Sequence, residues 1–316
     1  PGLLEGYRSV FNIKEKTFTH LEQTHIISKY ATNFSSKLSL VTGSYLMKLL
    51  KLLLPSFLIV WINQKKKSKC RLILSYIIII LTQFFMIDGT IARTIIYSLI
   101  LFILINHIYS YNRKKQMAKI LVVSAIIIII YWSFRFSLIG GIINSYFSLL
   151  FSSYFSGVNI VSGSLNLSKD FATRLHYFLY DFLKSIPYGN TIFGLEKSDM
   201  QIYFNLINNT NGQIPTTIGS GYYYFGFLLA PIYSVIFTIL AYKMGQKANQ
   251  TFNLISKVRY LFLAITFSMG IIMYNVQITL TNFFSVAVPM YLIERFAYKN
   301  NENFVKNLKP LELKNE

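Results

Sequence analysis

The sequence has a single cysteine, Cys70, so no disulfide framework and no thiolate metal site can be built within it. Acid is scarce as well: 12 Asp and Glu stand against 31 Lys and Arg, a net charge of +19. There is no Walker loop, no dinucleotide fingerprint and no HExxH sequence, and His20 and His25 are too far apart in phase to share a helix face. These absences predict no metal, no cofactor and no redox chemistry. The chain opens on Pro1-Gly2 rather than methionine, and 1–44 lacks the basic, apolar and small-residue succession of a signal peptide. Further spans are expected upstream.

What is present is apolar. Over half of the residues, 53%, are hydrophobic, and they come in runs such as LILSYIIIILTQFFMI and ILVVSAIIIIIYW that keep no period of two or of 3.6. Such runs suit helices apolar on every side, which lipid accommodates because a helix satisfies its own backbone. About seven spans are predicted, over 46–63, 72–87, 95–111, 120–132, 222–242, 260–276 and 281–296, each near the length a bilayer core requires. Lysines and arginines cluster between runs, at 65–71, 113–119 and 243–259, which reads as positive-inside topology rather than a nucleic-acid surface.

The expected fold is therefore an all-α, multi-pass transmembrane helical bundle with one large, partly helical extracytoplasmic loop. Its parts are an extracytoplasmic segment 1–45, four transmembrane helices in 46–132, the loop 133–221, three transmembrane helices in 222–298 and a cytoplasmic tail 299–316. The predicted location is the bacterial inner membrane, with membrane lipids as partners.

A connection of this length should carry structure and function of its own. Ile142–Phe155 fits a helix lying among headgroups. Asp170–Tyr188 predicts a helix with Phe171, Leu175, Phe178, Leu179, Phe182, Leu183 and Ile186 on one stripe, ended by Pro187 and Gly189. At 100° per residue Arg174 and Asp181 share an edge of its polar face, and His176 lies on the opposite edge. Arg174 reads either as a local partner of Asp170 or as a cation for headgroups. His176 reads as an edge-packed histidine or a catalytic one. In NGQIPTTIGSGYYYFGFLLAP the tyrosines read as an interfacial aromatic belt. Gly219, Gly221 and Gly226 instead suggest close backbone approach, with amides free for a phosphate or sugar oxygen.

DGTIART, the single late loop and IPTTIGSGYYYFG together resemble the Wzy-type O-antigen and capsule repeat-unit polymerases, over roughly 46–298. Where many members carry an acid before the aromatic Phe-Gly, this chain has Ser220. The resemblance implies a glycosyltransferase-type polymerisation of polyprenyl-diphosphate-linked oligosaccharides into surface polysaccharide, with a chain-length regulator as a further partner. It implies Arg93, Arg135 and Arg174 as diphosphate-binding residues, since a guanidinium fork matches phosphate oxygens. Asp181 and His176 are the candidates for a catalytic base, and Gly219, Gly221, Tyr222 and Tyr223 the candidate glycan contacts. An O-antigen ligase of similar architecture and a flippase-type transporter are the alternatives.

Overall fold

A 30-residue helix, Phe34–Asn63 (α1), runs through Pro55 without breaking. Proline has no N–H to give the carbonyl of residue 51, and that carbonyl is taken up from outside: Gln83 Nε2 donates to Lys51 O at 3.3 Å. Gln83 belongs to α2 (Lys69–Phe85), which lies against α1 and against α3 (Ile91–Tyr109). At one end of the three helices, Asn63 Nδ2 donates to Ser75 Oγ at 2.8 Å while Tyr109 Oη donates to Asn63 Oδ1 at 2.5 Å. The computed structural model describes residues 34–64, 68–85, 91–109, 122, 158–167, 170–193, 199–210, 213–272 and 274–300.

The second half of the bundle is a helical hairpin, α9 (Ile232–Gln250) and α10 (Leu254–Ile272). Asn253 Oδ1 starts α10 by accepting the Ile255 amide at 2.9 Å. The chain then reverses at Asn275, whose side chain caps α11 (Val276–Asn282) by accepting the Ile278 amide at 2.8 Å. A π-helical turn, Phe283–Ala287, leads into α12 (Val288–Asn300). Helix α10 is central: it touches α1, α3, α9, α11 and α12. Leu52 of α1, Tyr97, Ile100 and Leu104 of α3, Phe262 of α10, and Val286 and Met290 near the C-terminal side form one shared apolar core.

Among the described residues, five short helices make a cap at one end. They are α4 (Val158–Gly163) with the 3-10 turn Ser164–Asn166, α5 (Phe171–Ser185), α6 (Gly189–Ile192), α7 (Met200–Ile207) and α8 (Thr217–Phe225). The cap has its own core of Ile160, Leu167, Met200, Phe204 and Tyr223. It is fastened to the bundle where Ser185 Oγ donates to Gln277 O at 3.2 Å and where Thr42 Oγ1 and Tyr188 Oη share a 2.9 Å hydrogen bond.

The helical character agrees with the sequence; the multi-pass architecture does not. Among the described residues two helical stretches, Leu254–Ile271 and Val276–Phe296, are long and apolar enough to cross a membrane, and 56% and 44% of their residues are buried inside the protein. The apolar runs have internal partners: Ile59, Ile79, Leu101, Phe102 and Ile105 bury one another across α1, α2 and α3. Lys51, predicted to lie in a lipid-facing span, is 1% exposed and sits 5.7 Å from the Tyr97 ring centroid. The predicted span 222–242 is broken, because α8 ends at Gly226, with φ at 82°, and α9 starts only after Pro231. The span at 120–132 lies outside the described residues apart from Val122.

Among the described residues the fold is therefore an internally packed all-α bundle with a helical cap and two such helices. The inner-membrane, multi-pass location falls with the seven spans. So do the polymerase, ligase and flippase functions, each of which requires a polytopic scaffold around a lipid-linked substrate.

Candidate functional site

The cap brings Arg174, His176, Asp181, Gly219, Gly221, Tyr222 and Tyr223 into one neighbourhood of α5 and α8. Helix α5 begins where the Asp170 side chain accepts the Thr173 amide and hydroxyl, each at 2.9 Å. These hydrogen bonds hold the Asp170 carboxyl below the ordinary carboxylate range, with Arg174 adding a lesser pull. Asp170 is thus first a helix cap.

The predicted apolar stripe of α5 faces outward: Phe171, Leu175, Leu179 and Phe182 are exposed. The face turned inward carries Tyr177, Tyr180, Asp181 and Ser185, spaced three to four apart as one side of a helix requires. Tyrosines go inward because their partners lie there. Tyr177 stacks on Tyr203 of α7, ring centroids 4.7 Å apart and planes 16° from parallel, and both rings flank Tyr223 of α8 at 6.3 and 6.2 Å.

Asp181 ties three helices together. Its Oδ2 accepts the Tyr224 hydroxyl of α8 at 2.5 Å and its Oδ1 accepts the Met200 amide of α7 at 3.2 Å. Burial raises the carboxyl to about 6, against the opposing pull of those two hydrogen bonds. Beside it Asp199 caps α7 through the Ile202 amide at 2.8 Å and pairs with Lys184 Nζ at 2.6 Å. Both Asp181 oxygens are thus committed to holding α7 and α8 against α5.

The glycines serve packing. A Cβ on Gly219 would lie 2.5 Å from Ser164 Oγ, and one on Gly221 2.1 Å from the Ala230 carbonyl oxygen. The Gly219 amide is spent on Thr216 Oγ1 at 2.8 Å, the N-cap of α8, rather than turned outward. Tyr222 is half-buried. His176 is exposed, its ring 5.4 Å from Tyr177 and 5.7 Å from Tyr180.

Two polar atoms in this cluster are buried without a hydrogen-bond partner among the described residues: Arg174 Nε and Tyr223 Oη. They lie in each other's electrostatic reach. Burial pushes the Tyr223 phenol upward and Arg174 pulls it partly back, so the hydroxyl remains a donor near neutrality. Each is a donor whose hydrogen bond no described residue takes up.

The structure does not describe the side chains of the other two candidate arginines. Arg93 stands in the first turn of α3, with only its backbone described, and Arg135 and the stretch 142–155 lie outside the described residues. Tyr177, Lys184, Asp199, Tyr203 and Tyr224 are participants the sequence did not single out. Asp199 was the most accessible of them, a cap residue directly ahead of the apolar run MQIYF. Among the described residues no group of three or more His, Cys, Asp or Glu could hold a metal.

No family model matches the chain, and no curated protein and no solved structure matches it. The resemblance to the repeat-unit polymerases rests on its short sequence motifs alone.

Proposed function

We propose that the cap is a recognition site for an acidic or phosphorylated oligosaccharide. The anion meets Arg174 and Tyr223, and a sugar ring meets the exposed His176 beside half-buried Tyr177. The observation that carries this is a pair of buried donors, Arg174 Nε and Tyr223 Oη, with no hydrogen-bond partner among the described residues. A buried donor left unmade costs about 1–3 kcal/mol, which a ligand oxygen recovers on binding. Tyrosine faces suit sugars because they offer flat apolar area with a polar edge. A lipid-linked oligosaccharide is one carrier of such a group.

The test is calorimetric titration of the whole protein with a phosphorylated oligosaccharide, its dephosphorylated counterpart and inorganic phosphate. Saturable binding of the phosphorylated form, weakened about tenfold or more in Arg174→Gln, supports the proposal. Equal binding of the dephosphorylated form, or no binding by either, overturns it.

A further inference from the structure

The end of the bundle opposite the cap holds a second cationic site, independent of the first. The C-terminal end of α3, the N-terminal ends of α2 and α10, the C-terminal end of α9 and the last turns of α12 all meet there. Lys257 Nζ of α10 lies 2.5 Å from His107 Nε2 of α3. Lys69, Arg71, Lys243, Lys247, Arg259 and Arg295 belong to the same ends, and among the described residues Glu294 is the one acid there.

Arg259 is the anchor of this pole. It is 8% exposed, with its guanidinium carbon 4.8 Å from the Tyr260 ring centroid and 5.0 Å from that of Tyr291. Its Nη2 is 3.0 Å from Glu294 Oε2, and Glu294 is held in turn by the Ser256 hydroxyl. One acid therefore cancels one arginine, but Arg259 Nε stays buried with no hydrogen-bond partner among the described residues. Arg259, Tyr291, Glu294 and the exposed Arg295 line an open depression of about 430 Å³. On the helices and turn that reach this pole, Tyr242 of α9, Phe252 of the α9–α10 turn and Phe296 of α12 are exposed, at 66%, 84% and 66%.

We propose that this depression binds the phosphate monoester of an anionic lipid headgroup. The positive surround attracts the dianion, and the exposed Arg295 fork supplies the donors. Glu294 fixes Arg259 without neutralising Arg295. The exposed rings choose the carrier: a free phosphate gains nothing from them, whereas a lipid places acyl chain against them.

The experiment uses dihexanoyl phosphatidic acid as a monomer, titrated into the full chain, with inorganic phosphate and dihexanoyl phosphatidylcholine as comparisons. Saturable binding of the phosphatidic acid is expected, weakening with salt, reduced about tenfold in Arg295→Gln and partly restored in Arg295→Lys. Arg295 is solvent-exposed, so these variants leave the packing of Arg259 intact. Unchanged affinity in Arg295→Gln overturns the site. Inorganic phosphate or phosphatidylcholine binding as tightly as phosphatidic acid overturns the lipid assignment.

Discussion

Replacing Asp181 by asparagine should remove a pH dependence from the stability of the cap. The carboxyl is 5% exposed, and burial raises it to about 6, compared with about 3.9 in an unfolded chain. Between those values the folded protein keeps a proton that the unfolded chain has released. Stability is therefore fullest below about pH 4 and falls as pH rises through about 6, by roughly 1.4 kcal/mol per unit and about 3 kcal/mol in all. Asparagine has the same shape and no titration. Its carboxamide oxygen can accept the Met200 amide, and its NH2 can donate to the Tyr224 oxygen, which now acts as acceptor. Denaturant melts of wild type and Asp181→Asn, compared between pH 4 and 7, isolate the effect because every other carboxylate is common to both. The variant should gain on the wild type as pH rises. Parallel curves across that window would refute the assignment of Asp181 as a buried, proton-holding tie.

Other outcomes follow from single contacts. Gly221→Ala drives a Cβ to 2.1 Å from the Ala230 carbonyl and should cost about 1–3 kcal/mol in thermal melts, because backbone, not a flexible side chain, stands in the way. Asp199→Ala removes the α7 cap and the Lys184 partner together and should cost about 1–2 kcal/mol, most visibly as faster amide exchange in 200–207. Phe262→Ala, at a position 1% exposed in the main core, should cost about 3–5 kcal/mol and lower the unfolding midpoint of the bundle.

Much of the helical content was legible because long apolar runs have few other solutions, and α1, α2, α3 and α10 overlap the predicted segments. Their destination was not legible. An isoleucine run apolar on every side reads the same whether lipid or another helix covers it, and here Ile79, Ile100 and Ile105 are covered by neighbouring helices. The break between α8 and α9 had signals in Gly226 and Pro231, but the hydropathy of FGFLLAP concealed them. Helix α5 shows the reverse case. Its buried face was misjudged, since Tyr180 and Asp181 pack inward while Phe171 and Phe182 stay outside. The Asp181–Tyr224 hydrogen bond spans 43 residues, and no local pattern announces a contact of that range.

The pairing of Arg174 with Tyr223 is the core of the functional account, and a double-mutant cycle tests it most directly. Binding of the phosphorylated oligosaccharide would be measured in wild type, Arg174→Gln, Tyr223→Phe and the double variant. If both donors hold one ligand oxygen, the two losses are non-additive, with a coupling of about 0.5–3 kcal/mol. Strictly additive losses, or no loss in either single variant, would contradict a shared anion site in the cap.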